Sequence, residues 1–202
     1  MPAFRLPMLL LLLCALATAP AHALLDEVSW SAARIVRIDG REFPTRVNHS
    51  RLGERIVAEV GGVELTLIVR NDRNVAWQLM PLMMVYAEAD VSRMDTPANV
   101  RIVASEPLGE ELVGGRSAMK YRAVFQTRGG ARHEGHLWQN AAGVHVKSRF
   151  PVTDRSGRTR LIELELRELR VGPQQAALFE VPAGYRLIDV DIGSVLGELF
   201  GF

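Results

Sequence analysis

Beyond residue 30, apolar and polar positions alternate singly along much of the chain, the period of a strand with one buried face. Residues 34–38 open the series. In 55–60, Ile56, Ala58 and Val60 share a face against Arg55 and Glu59, and Gly61-Gly62 follows as a tight turn. Residues 64–70 place Leu65, Leu67 and Val69 together, and Asn71-Asp72-Arg73-Asn74 leads into 75–80, where Val75, Trp77 and Leu79 alternate. These two segments are predicted to form a hairpin. Residues 83–87 form a further short strand, and 118–126 set Met119, Tyr121, Ala123 and Phe125 against Lys120, Arg122 and Gln126. Gly129-Gly130 turns the chain, Asn140-Ala-Ala-Gly143 joins strands 132–139 and 144–150, and 159–170 oppose Ile162, Leu164 and Leu166 to Glu163, Glu165 and Arg167. The pattern predicts about nine or ten strands in one large antiparallel sheet. Helix is expected at 96–104, at 173–178 and in the tail at 192–200, where Val195, Leu196, Leu199 and Phe200 share a helical face. There is no Pro- or Gly-rich linker and no fixed repeat, so residues 24–189 read as a single domain, with 190–202 as an apolar tail.

The first 23 residues read differently. Arg5 is the one charge among the first 25, the run 8–17 is wholly apolar apart from its cysteine, and Ala21-His22-Ala23 follows. A positive start, an apolar stretch too short to span a bilayer and a small-x-small site make a secretory signal, with cleavage expected after Ala23. An uncleaved anchor is the rival, against which stand Pro20 and the short run. Cys14 is preceded by Leu13, where lipidation needs a small residue, so the cysteine is expected to leave with the signal. The compartment implied is the periplasm. The exported chain would then hold no disulfide and no thiol, and its stability must come from burial.

Composition adds exclusions. With 24 Lys+Arg against 23 Asp+Glu in 202 residues there is no electrostatic footprint for nucleic acid. Hydrophobic residues at 48% suffice for a substantial core and exclude disorder. Arginine outnumbers lysine 22 to 2, which reads as codon bias rather than phosphate recognition. Asn48-His49-Ser50 matches a glycosylation acceptor by accident in such a context.

The segment Ile68-Val-Arg70-Asn-Asp72-Arg-Asn-Val-Ala-Trp77-Gln-Leu-Met-Pro81, followed by Met84-Val-Tyr86-Ala-Glu88, resembles the LolA-like periplasmic proteins, and in particular their uncharacterised lipoprotein-sorting-like relatives. Leu108 to Gly114, Lys120-Tyr121, Gly135-His-Leu-Trp138 and Leu178 to Tyr185 continue the likeness, which runs from about residue 30 to 187 in the family's order. The resemblance implies a mainly β fold: one antiparallel sheet curled into an incomplete half-barrel around short helices. Its concave apolar face would hold acyl chains or other hydrophobic groups, without a cofactor or an agreed activity. No segment matches the arginine with which the lipoprotein carriers secure their lid.

The ligand-lining candidates are Trp77, Met80, Met83, Met84, Tyr86, Met94, Met119 and Tyr121. Four of these methionines fall within fifteen residues, and unbranched polarizable side chains suit a pocket that accepts variable apolar shapes. The competing reading is that they, with Trp138, fill an ordinary core. Arg70, Asp72 and Glu88 are the polar candidates, either as structural ion pairs and turn-stabilising bonds or as contacts to a ligand headgroup.

Three catalytic patterns fail on geometry. Ser117-Ala-Met-Lys120 spells S-x-x-K, but on a strand an offset of three sends the two side chains to opposite faces. His133-Glu-Gly-His136 lacks the spacing of a zinc helix and its histidines diverge on a strand; with His145 it leaves only a chance metal site. Glu163 and Glu165 form a solvent face rather than a catalytic pair. The sequence therefore points to a non-enzymatic binder of a hydrophobic small molecule or lipid. The alternative is an envelope interaction or sensor protein that meets a partner or membrane through Val195, Leu196, Leu199 and Phe200.

Overall fold

In the computed structural model the described residues are 22–23, 28–93, 100–126, 130–153 and 158–190. The expected tail and most of the leader lie outside them, as does Met94. The strands are β1 (His22–Ala23), β2 (Trp30–Ile38), β3 (Arg41–Ser50), β4 (Gly53–Val60), β5 (Val63–Arg70), β6 (Val75–Met80) and β7 (Val85–Asp90) in the first half. The second half holds β8 (Arg101–Val113), β9 (Arg116–Gln126), β10 (Arg132–Gln139), β11 (His145–Thr153), β12 (Thr159–Val171) and β13 (Arg186–Leu187).

All lie in one sheet, ordered β1-β8-β9-β10-β11-β12-β2-β3-β4-β5-β6-β7-β13. Two antiparallel meanders, β2 to β7 and β8 to β12, are joined where β12 pairs with β2, Leu164 opposite Val36. Inside the two-residue β1 and β13, the strands at the two margins, β7 and β8, do not pair with each other, so the sheet is open. β13 adds to β7 in parallel, and β1 to β8. A sheet this wide cannot stay flat, and it curls around its apolar face.

The expected mainly β, single-sheet, open curled architecture is thus what the chain forms, and the β5–β6 hairpin closes in the expected register with Arg70 opposite Val75. Several local expectations are corrected. Residues 101–104, expected as helix, open the thirteen-residue β8. β8 is a margin strand with no buried residue, interrupted by register shifts around Ala104 and Gly109, so no face of it is marked by alternation. β3 carries Pro44 and was likewise not anticipated; Pro44 pairs with Ile35 of β2 but lies beyond the β3–β4 ladder, which starts at Thr45, so its missing N–H costs no bond there. Residues 83 and 84 do not open a strand: Pro81–Met83 is a 3-10 turn and Met84 ends it at φ 51°. In place of a helix at 173–178 there is a 3-10 turn at Ala176–Phe179, and no α-helix occurs among the described residues.

Following the pairings from strand to strand defines two faces. On the inner face Trp30, Ala32, Val36 and Ile38 align with Val47, Ile56, Leu67, Val69 and Ala76 in one direction. In the other direction they align with Ile162, Leu164, Phe150, Leu137, Ala123 and Phe125. The outer face over β9 to β12 and β2 is charged: Arg37 bonds Glu42, Glu163 and Glu165 at 2.8–3.2 Å. Two glycines permit the tight spacing. A Cβ on Gly53, at φ 152°, would lie 1.8 Å from the Val69 carbonyl oxygen, and one on Gly135 would lie 2.4 Å from that of Arg149.

Candidate functional site

The inner face is a broad apolar surface that runs across both meanders. Val47 on β3 and Phe125 on β9 are 1% exposed, while Ile56, Leu67, Met80, Tyr121, Phe150 and Leu164 remain partly exposed. The β7–β8 connection reaches it from both margins. Val91 packs with Val69 and Ala76, and Val100 packs with the Ala123, Phe125 and Leu137 cluster. Such a surface, concave and apolar, suits a ligand that is itself apolar.

Within this face sits a polar cluster. Arg34 is in phase with Trp30, Ala32, Val36 and Ile38, so the alternation of β2 turns its side chain inward. Arg34 Nη1 meets Glu54 Oε2 at 3.5 Å, with both side chains 11% exposed. His49 Nδ1 lies 3.5 Å from the other Glu54 oxygen, and the His49 ring stacks on Trp30 with centroids 5.2 Å apart. The sequence reading missed Arg34, His49 and Glu54. The available signal was their phase: each stands where the strand pattern calls for an apolar residue.

On the outer face of β4 to β7 the chain's own C-terminal segment supplies the cover. Phe179, fully buried, packs with Ile68, Trp77 and Leu79, flanked by Tyr86, Leu178, Val181 and Tyr185. Arg70 fastens it. Its guanidinium, 3% exposed, donates to both oxygens of Asp72 at 2.8 and 2.7 Å, to the Phe179 carbonyl at 3.1 Å and to Glu180. The Arg70 hydrogen bond holds the Asp72 carboxyl below its ordinary pKa. At Glu180 burial pushes upward, but the hydrogen bond and charge of Arg70, with the charge of Arg73, outweigh it and the net shift is downward. Past this latch β13 pairs with β7, the Ile188 amide donating to the Tyr86 carbonyl at 2.8 Å.

The sequence-selected residues consequently divide among four places. Trp77 and Tyr86 lie under the C-terminal segment, Trp77 Nε1 donating to Glu88 at 3.0 Å. Met80 lies on the inner face. Met83 and Met84, at 59% and 50% exposure, form an outward corner beside Leu82 at 84%. Met119 and Tyr121 lie on the inner side of β9, in the other half of the sheet. The seven described candidates thus lie in four places, whereas Arg70 and Asp72 meet as an ion pair.

The dismissed motifs have visible roles. Ser117 donates to Glu110 at 2.7 Å while Lys120 pairs with Glu111 at 2.7 Å, so the two motif residues engage different partners. Trp138 donates to Glu111 at 2.9 Å and carries Lys120 and Lys147 at 5.2 and 5.1 Å from its ring centre. A shallow outer-face cleft of about 270 Å³ is lined by Arg122, Glu134, His136, Arg149 and Leu161 among others. Burial, then the charges of Lys120, Arg122 and Arg149, lower the His136 pKa against the opposing charge of Glu111. No group of three metal-ligating side chains assembles among the described residues.

No family model matches the chain, and no curated protein matches it. Solved structures do. The chain is similar to an uncharacterised conserved protein of Thermus thermophilus, at 18% identity and a TM-score of 0.48, over 80% of this chain and 90% of that one. It is similar to MucB of Pseudomonas aeruginosa, solved in complex with MucA, at 16% identity and a TM-score of 0.48, over 80% of this chain and 58% of that one. It is also similar to a putative outer membrane lipoprotein-sorting protein domain of Vibrio parahaemolyticus, at 10% identity and a TM-score of 0.37. At these scores none assigns a ligand or activity to this chain.

Proposed function

We propose that this protein is a non-enzymatic holder of a hydrophobic ligand, an acyl chain or lipid, carried against the inner face of its open sheet. The observation that supports this is the apolar inner face itself. It runs from β6 through β2 to β9, and across it Ile56, Leu67, Met80, Tyr121 and Leu164 keep part of their surface open. Shape and burial would do the binding, at about 25 cal/mol for each Å² of apolar surface removed from water. The site of action in this reading is the periplasm, reached through a signal cleaved after Ala23. Cleavage there would also remove the His22–Ala23 pairing from β8 and expose that strand's margin.

A second reading, contact with an envelope protein or membrane, is favoured by the outward corner of Leu82, Met83 and Met84, near which Leu187 is 60% exposed. Native mass spectrometry separates the two. The exported protein is purified without detergent and sprayed, and what it carries is extracted. A lipid-sized adduct in stoichiometric amount, lost on Leu67→Asp with the fold intact, supports the carrier. A clean mass that stays clean after exposure to envelope lipids removes it in favour of the contact surface.

A further inference from the structure

We infer that Arg34 is the headgroup anchor of the inner face, and that the ligand it selects is a chain ending in a carboxylate, the fatty-acid class. This rests on the carrier reading above. A guanidinium has five N–H donors and keeps its charge at any physiological pH, so placing it on an apolar face is costly unless its donors are met. Among the described residues Arg34 is held by one ion pair, at 3.5 Å and through Nη1, and its buried Nε has no hydrogen-bond partner. The contact to Glu54 engages Nη1, so the buried edge formed by Nε and Nη2, the edge suited to two coplanar oxygens, carries no carboxylate of the described residues.

The surroundings of that edge are buried and mostly apolar. Arg34 is flanked along β2 by Ala32 and Val36, and across the ladder by Leu166 and Thr45. Trp30 lies four residues along the same strand, about 13 Å away, so it would border the alkyl chain about two-thirds of the way along a C16 acid. Glu54 limits the affinity, since its carboxylate competes for the same cation. The site is therefore built to take a monoanion reversibly.

Calorimetric titration of the folded protein with dodecanoate and with dodecanol, both below their aggregation limits, tests this. Dodecanoate is expected to bind at least about tenfold more tightly than dodecanol. Arg34→Gln should cut dodecanoate affinity by about tenfold and leave dodecanol within twofold. Glu54→Gln should move the other way and tighten dodecanoate several-fold, a gain that a merely structural Arg34–Glu54 pair would not give; it also decides the matter if Arg34→Gln does not fold. Equal affinities for the two ligands, or equal losses of both in Arg34→Gln, overturn the anchor while leaving the carrier. Failure of both ligands to bind overturns both.

Discussion

Replacing Arg70 with alanine tests whether the C-terminal segment is an integral layer of the fold. Arg70 is 3% exposed and gives four hydrogen bonds, two to Asp72, one to the Phe179 carbonyl and one to Glu180. Removing one partner of a buried ion pair typically costs about 3–5 kcal/mol, because a charge is left buried and uncompensated. Here the carboxylates left behind are 39% and 42% exposed and regain water, so the loss falls below that range. What does not regain water is the Phe179 carbonyl, beside a fully buried ring, and the space the arginine filled. The sum is about 2–3 kcal/mol, or about 1 M in urea midpoint for an unfolding slope near 2 kcal/mol/M. Arg73→Ala is the control. It reaches Glu180 at 3.0 Å, but both side chains are about half exposed and the loss should stay under about 0.5 kcal/mol. Urea unfolding followed by circular dichroism reads both. Equal, small shifts for the two variants would refute the reasoning and mean that the segment docks and undocks apart from the sheet.

Other outcomes follow from the same geometry. Asp72 and Glu180 have lowered carboxyl pKa values when folded, so the stability they contribute is complete above the ordinary carboxylate value and is lost as pH falls through their folded values. The acid limb of a stability-against-pH curve should therefore flatten in the Asp72→Asn, Glu180→Gln double variant. Gly135→Ala forces a Cβ to within 2.4 Å of the Arg149 carbonyl oxygen and should cost more than about 2 kcal/mol, read as a fall in thermal midpoint; Gly40→Ala meets no neighbouring atom and should cost less. Trp138→Phe loses the Glu111 hydrogen bond and weakens two cation–π contacts, for about 1–2 kcal/mol by denaturant titration.

Strand alternation made most of the sheet legible, because strands with one buried face write it directly into sequence. Val75–Met80 and Arg132–Gln139 occur with the expected bounds. β8 was illegible for the opposite reason: at the sheet margin both its sides meet solvent, so nothing selects a period of two. The candidate site was harder to read. Sequence proximity grouped Trp77 with Met80, Met83 and Met84, but consecutive strand residues point to opposite faces and a turn intervenes, so the group disperses. Arg34, His49 and Glu54 are far apart along the chain and assemble only through the β2–β3–β4 register, which alternation alone does not give. The Arg70 latch was legible as far as Asp72, two residues away, while Glu180 is 110 residues distant.

The chain's three tryptophans offer the most direct test of the central claim, that the ligand lies on the inner face. Trp30 is on that face and Trp77 is on the other, beneath Phe179. Two single-tryptophan variants, Trp77→Phe with Trp138→Phe and Trp30→Phe with Trp138→Phe, are titrated with dibromostearate, whose bromines quench indole only at short range. Saturable quenching when Trp30 is retained, and little when Trp77 is retained, is the predicted result. Equal quenching of the two, or quenching of Trp77 alone, would place the ligand elsewhere and contradict the account.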